Sequence, residues 1–209
     1  GYEPRPKETL PDANLRASLI ATLGKMDDAD VLGQARARFA RLGSDPHALD
    51  GPFKTTWLDI IGRNATEADW RQVMTLAEQT KSPAERATYF ELLGKARDVP
   101  LARKALDFAL TGKAGTTSAA IITNVAAVHP ELAYDFTIAH RARVEELVDD
   151  SGRSQFYRGL IANSTDSAMI SKLETLRAML PADQRKPIDQ ALAALKERMR
   201  AVIGALGQP

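Results

Sequence analysis

Apolar residues recur along this chain at three- and four-residue spacing, the period of helices with one face turned inward. The first such run is Leu15, Leu19, Ile20 and Leu23, opened at Pro11-Asp12 with Asp12 as its N-cap and closed by a left-handed cap at Gly24. A second helix runs from about Asp28 to Leu42, carries Val31, Leu32, Ala35 and Phe39 inward, and stops at Gly43. Beyond the loop SDPHALDGP, a third carries Phe53, Trp57, Ile60 and Ile61, with Gly62 near its end. Thr66-Glu67-Ala68-Asp69 begins a fourth, with Trp70, Val73, Met74 and Ala77 on one face. Ser82-Pro83-Ala84-Glu85 is a strong start signal, in which Ser82 caps, Pro83 takes the first helical position and Glu85 reaches back. The helix it opens carries Tyr89, Phe90, Leu92 and Leu93 to Gly94, and Asp98 begins the next, which stops at Gly112.

Residues 118–163 read as two helices and part of a third, with His129-Pro130 as the turn between the first two. Thr165 caps a further helix bearing Met169, Ile170, Leu173, Leu176 and Leu180. The last helix starts near Pro187 and is amphipathic to its end. The sum is about eleven helices and no convincing strand. Gly24, Gly43 and Gly62 stand 19 residues apart, and Gly94 and Gly112 stand 18 apart. One helix and turn per interval makes a helix pair about every 37 residues, near the lower edge of HEAT-like repeats. The expectation is an all-α chain: a HEAT/armadillo-like α-solenoid, a curved double layer of antiparallel helix pairs, with a compact bundle as the alternative. Residues 1–11, GYEPRPKETLP, read as a linker from an upstream domain, and 12–209 as a single helical repeat domain. The chain reads as a fragment.

Composition narrows the function. Of 209 residues, 44% are hydrophobic and 26% charged, ordinary for a globular domain. Lys and Arg total 28 against 27 acidic residues, so a net charge of +1 offers no electrostatic footprint for nucleic acid or an anionic membrane. No apolar run approaches the ~18 residues of a membrane span. Without cysteine there is no disulfide and no thiolate nucleophile or metal ligand. The N-terminal stretch lacks the basic head and apolar core of a signal peptide.

No constellation for catalysis emerges. His47 falls in a loop, His129 at a helix junction and His140 in a helix, and none stands four residues from another as an H-E-x-x-H zinc helix requires. Nucleophile-elbow, P-loop and dinucleotide motifs are absent. Gly112-Lys113-Ala114-Gly115-Thr116-Thr117 lacks the order of a phosphate loop and reads as a helix–helix turn. Glu145, Glu146, Asp149 and Asp150 crowd one helix end and read as solvated carboxylates. Trp57, Trp70, Tyr89, Phe90, Phe136, Phe156 and Tyr157 fall on apolar stripes and read as core. The catalytic, cofactor and metal assignments are therefore all none.

The wording of several segments points further. NLRASLIATLGKMDDADVLGQARARF has the form L-R, a leucine-rich helix, G-x-x-D-D, then A-R-x-x-F. Together with FKTTWLDIIGRNATEADWRQVM, YFELLGKARDVPLARKALDFAL, AAVHPELAYDFTIAHRARVEEL and SGRSQFYRGLIANSTDSAMISKLETLRAML, in that order and spacing, it resembles the C-terminal helical domain of the aminopeptidase N family of zinc metallopeptidases. The likeness covers nearly the whole chain from about Asn14. HRARVEEL lacks the Asn-Trp pair frequent in relatives, and the final helix lacks their aromatic residue.

The resemblance implies a bowl of HEAT-like helix pairs docked over a separate catalytic domain, which carries H-E-x-x-H, a zinc-binding Glu and a G-A-M-E-N-type loop. None of these is present here. It implies a fragment inactive alone, from a parent zinc metallo-aminopeptidase of the M1 family. The domain would enclose the active-site chamber, gate access by opening and closing, and contact the distal end of peptide substrates. Its partners would be the catalytic domain of the same chain and the peptides, and similar bacterial chains lean the parent towards the periplasm. Asn124, Arg153, Phe156 and Tyr157 lie in the segments most like the chamber-facing region and are the candidate peptide contacts. The alternative is a free-standing α-solenoid that binds a partner protein on its concave face.

Overall fold

A computed structural model describes the chain except Pro4, Pro46, Asp50, Pro52, Asp150 and residues 207–209, and except the side chains of Ser154 and residues 202–206. Among the described residues there is no strand. The elements are α1 (Leu10–Lys25), α2 (Ala29–Arg41), α3 (Lys54–Arg63), α4 (Glu67–Gln79), α5 (Pro83–Leu93) and α6 (Val99–Leu110). They continue with α7 (Ser118–Val128), α8 (Pro130–Ala139), α9 (Arg141–Leu147), α10 (Arg153–Leu160), α11 (Ala168–Met179) and α12 (Lys186–Leu206). Short 3-10 turns precede α7 and α12. The all-α expectation holds. The chain divides into two compact units, residues 1–92 and 93–209.

In the first unit α3 is central, packed against α1, α2 and α4. Its KTTWLDIIGR buries Trp57, Leu58, Ile60 and Ile61 together, apolar groups spread too widely round the helix for one covering neighbour. Val31, Ala35 and Phe39 of α2 and Trp70, Val73 and Ala77 of α4 supply the facing stripes. The lead lies along this unit. The Tyr2 hydroxyl donates to Asp30 at 2.6 Å and its ring sits 5.8 Å from that of Trp57. Arg16 donates to the Gly1 and Glu3 carbonyls and the Glu8 carboxylate.

In the second unit α7 takes the central place, against α6, α8 and α10, and α12 covers α10 and α11. Ile121, Ile122, Val125 and Ala126 of α7 are fully buried. Arg198 of α12 donates to the Ile161 and Ser164 carbonyls in the turn that follows α10. Tyr134 of α8 donates to the Lys172 carbonyl of α11 at 3.0 Å.

Several starts and stops are as the sequence indicates. Asp28 and Asp98 cap α2 and α6, accepting from the Val31 and Leu101 amides at 3.0 and 2.9 Å. Thr66 and Asp69 form a reciprocal capping box on α4. Others need correction. The N-cap of α1 is Thr9, not Asp12: the Asp12 amide donates to the Thr9 hydroxyl, and Pro11 fits the first turn, where no amide is needed. Ser82 accepts from the Glu85 amide, but the Glu85 carboxylate accepts from the Thr80 hydroxyl and pairs with Lys54. Thr165 caps nothing. The buried Ser164 donates to Glu131, and Asp166 accepts from the Ala168 amide at the start of α11.

His140 is not inside a helix. It closes α8 and precedes α9, with φ −114° and ψ 26°, and its ring meets that of Phe136 at a tilt, 4.6 Å between centroids. This break makes twelve helices among the described residues where the periodicity counts about eleven.

The evenly spaced glycines turn out to hold unlike positions. Gly24 is buried inside α1, where a Cβ would stand 2.5 Å from Ile60 Cγ1; the left-handed residue is Asp27 (φ 62°). A Cβ on Gly94 would stand 2.5 Å from the Ile121 carbonyl oxygen on α7. Gly112 does make a left-handed turn, at φ 76°. Because backbone cannot yield as a side-chain tip can, Gly94→Ala is expected to cost about 2 kcal/mol. Gly33→Ala, in an exposed stretch of α2 with nothing near the added methyl, is expected to add about 0.5–1 kcal/mol. Urea unfolding followed by circular dichroism measures both, and similar effects at the two glycines would contradict the close approach to α7.

Candidate functional site

The candidate peptide contacts gather on α10 and part from Asn124. The acidic turn before α10 is built by Asp149, whose Oδ1 accepts from the Ser151 hydroxyl and the Gly152 amide, both at 2.6 Å. The Ser151 hydroxyl and Gly152 amide hold the Asp149 carboxyl below the usual range. Asp150 lies outside the described residues. Gly152 then leads into α10, whose first turns carry Arg153, Phe156 and Tyr157.

Phe156 and Tyr157 are 6% and 3% exposed and meet edge to face, 5.7 Å between ring centroids, so the core reading of these aromatics holds. Their outward partners differ. Tyr157 donates to Glu145 Oε1 at 3.3 Å, and the same oxygen accepts from Arg141 Nε at 2.7 Å. Glu145 is therefore not the solvated carboxylate its neighbourhood suggests: it ties α9 to α10. The i to i+4 spacing of Arg141 and Glu145 was visible in the sequence, but the role of Tyr157 required the turn at Asp149. Glu146 pairs separately with Arg143 at 2.6 Å.

Phe156 forms part of a groove of 590 Å³ between α7 and α10, closed at one end by the last residues of α9. Its small wall residues are Ala119, Ala120 and Thr123 on α7, Gly152 just before α10 and Gly159 on it. At Gly159 the two helices come together, where a Cβ would stand 3.4 Å from Thr123 Cγ2. Arg153, Tyr157 and Asn124 do not line this groove. Asn124 is one residue round α7 and faces the Gly94 turn, with its Cβ 3.0 Å from the position of a Gly94 Cβ. Sequence reasoning named Phe156 and missed the small residues opposite it, which carry no chemical signal of their own.

Tyr157 and Glu145 beside the groove are engaged with one another. Burial and the nearby Glu145 carboxylate push the Tyr157 phenol up to about 12, so it is a neutral donor at ordinary pH. Glu145 is committed to Arg141. His129 sits in the α7–α8 turn with Nε2 at 3.1 Å from the Ala96 carbonyl oxygen, and His47 is exposed in a turn. Among the described residues no three His, Asp or Glu side chains come close enough to share a metal ion, and no helix is long and apolar enough to cross a membrane.

The described residues form a helical module with a groove between α7 and α10, and comparison with known families names it. The family described as the ERAP1-like C-terminal domain matches residues 1–197, so the chain belongs to that family, a noncatalytic C-terminal domain of aminopeptidases. Searched against curated proteins, the chain finds no match.

The shifted tyrosines give a pH prediction. Folding raises Tyr157 from the ordinary phenol value of about 10, and burial raises Tyr134 still further. The stability gained is complete below about pH 10 and is lost as pH climbs through the folded-state values. Urea midpoints are expected to fall between about pH 10 and 12, and Tyr157→Phe to flatten that fall; an unchanged slope in the variant would place the titration elsewhere.

Proposed function

We propose that residues 12–209 act as one HEAT-like α-solenoid domain of an M1-type zinc aminopeptidase, with residues 1–11 joining it to what precedes it in the parent. On this reading the domain forms a bowl over the active-site chamber, gates entry by moving against the catalytic domain, and touches the distal part of peptide substrates. The observation that carries it is the family match over residues 1–197, on a chain whose own residues supply no catalytic set. Zinc belongs to the parent's catalytic domain, and no step of the chemistry passes through this chain.

Asn124, Arg153, Phe156 and Tyr157 are the proposed peptide contacts. Phe156 supports the role by its place in the groove, while Tyr157 supports it indirectly by holding α10 against α9. A free-standing scaffold remains the alternative on the α-helical character alone.

The expected outcome is that the parent cleaves a panel of aminoacyl chromogenic substrates and that residues 1–209 with excess zinc cleave none. Turnover by residues 1–209 alone would overturn the noncatalytic reading, and an inert parent would favour the scaffold. Within the parent, Arg153→Ala is expected to raise KM about three- to tenfold for peptides of eight or more residues and to leave single-residue substrates unchanged. An equal effect on both substrate classes would remove Arg153 from the peptide path.

A further inference from the structure

The first unit carries a recess of 300 Å³ at the C-terminal end of α2. Tyr2 and Glu3 of the lead, Arg38 and Arg41 of α2, and Lys54 and Trp57 of α3 line it. Among its described residues, three cations face one carboxylate, so the walls carry an excess of two positive charges. The chain as a whole is nearly balanced, at +1. None of these residues is among the proposed peptide contacts.

Arg38 is the fixed member of the set. Its Cζ lies 4.7 Å from the centroid of the Trp57 ring and 5.9 Å from that of Tyr2. Its Nη1 donates to the Gln34 side chain at 2.6 Å and to the Gln34 carbonyl at 3.2 Å. Its Nη2 donates to the Glu3 carboxylate at 2.5 Å. Side-chain exposure is 16% for Arg38 and 79% for Glu3, and an ion pair with one partner so open to water is weakly held. The lead thus already brings one oxyanion to Arg38, on a side chain that another anion can displace.

The other two cations widen the set. Arg41 stands about one turn along α2 from Arg38, is exposed, and has no acceptor among the described residues. Lys54 shares its charge with Glu85 of α5, 2.9 Å away. Cations in the last turn of a helix offset its dipole, which accounts for Arg38 and Arg41 as residue types. The same rule disfavours Lys54, which stands in the first turn of α3. Its sign suits the recess better than it suits the helix.

We propose that this recess is a phosphate site, in which Arg38, Arg41 and Lys54 receive a dianionic phosphate group, free or carried by a small monoester, and Glu3 competes for Arg38. The excess of two positive charges matches that of the phosphate dianion at neutral pH. A tetrahedral oxyanion offers separate oxygens to three cations at once, whereas a planar carboxylate is served by Arg38 alone, as Glu3 is. A volume of 300 Å³ stands at the lower bound of small-molecule sites and suits a phosphate or a small ester. The site does not rest on the peptidase reading of the parent.

Isothermal titration calorimetry of the full parent chain tests it, with inorganic phosphate in one arm and glycerol 3-phosphate in the other. Saturable binding with Kd on the order of 1 mM or tighter is expected. Tighter binding of the ester would assign the site to a monoester, and tighter binding of the ion to free phosphate; either supports it. Arg41→Ala, which removes an exposed side chain, is expected to weaken binding about tenfold, and Glu3→Gln to tighten it about threefold. Phosphate taken up at a metal elsewhere in the parent would be untouched by Arg41→Ala, so an affinity unchanged in that variant would overturn the site. Succinate bound as tightly as phosphate would overturn the choice of anion.

Discussion

A helix that is apolar round most of its circumference must be surrounded, and this structure is organised by two of them. Helix α7 carries Ile121, Ile122, Val125 and Ala126 into full burial, and only helices on several sides can keep that surface from water. Helices α6, α8 and α10 provide it. Helix α3 imposes the same demand on the first unit through Trp57, Leu58, Ile60 and Ile61. Close approach then becomes a requirement, and glycine meets it: Gly94 lets its turn touch the α7 backbone, and Gly24 lets α1 close on Ile60. Each is a place where side-chain volume would hold two helices apart.

Around α7 the polar groups fasten what burial has assembled. Glu145 receives both Arg141 and Tyr157, so the short α9 is joined to α10 across the Asp149 turn. A helix of seven residues does not persist on its own hydrogen bonds, since nucleation outweighs propagation at that length. Tertiary ties of this kind are what keep it in place. The groove beside Phe156 depends on them too, because α9 closes one of its ends.

Helix content was legible because periodicity reports burial directly, and burial decides most of this chain. Asp28, Thr66 and Asp98 were readable as caps because a short acceptor side chain before an apolar run has few other uses. Misreadings arose where one residue type serves two ends. Gly24 looks like a helix stop, but its lack of a side chain is used for contact with Ile60, a partner 36 positions away that no local pattern reveals. The break at His140 is hidden in the sequence because TIAHRARVEEL keeps a helical pattern across it. At the candidate site, Phe156 was readable as an aromatic on a stripe, whereas Ala119, Ala120 and Gly159 acquire meaning only when α7 and α10 are brought together.

The same economy of volume fixes α1 in the first unit. Ile20 and Gly24 are buried against α3, and Arg16 fastens the lead to the helix. A face that is already ordered loses less entropy on meeting a partner than one that must be ordered first, so the exposed Leu15, Leu19 and Leu23 stand on a helix that is held from behind.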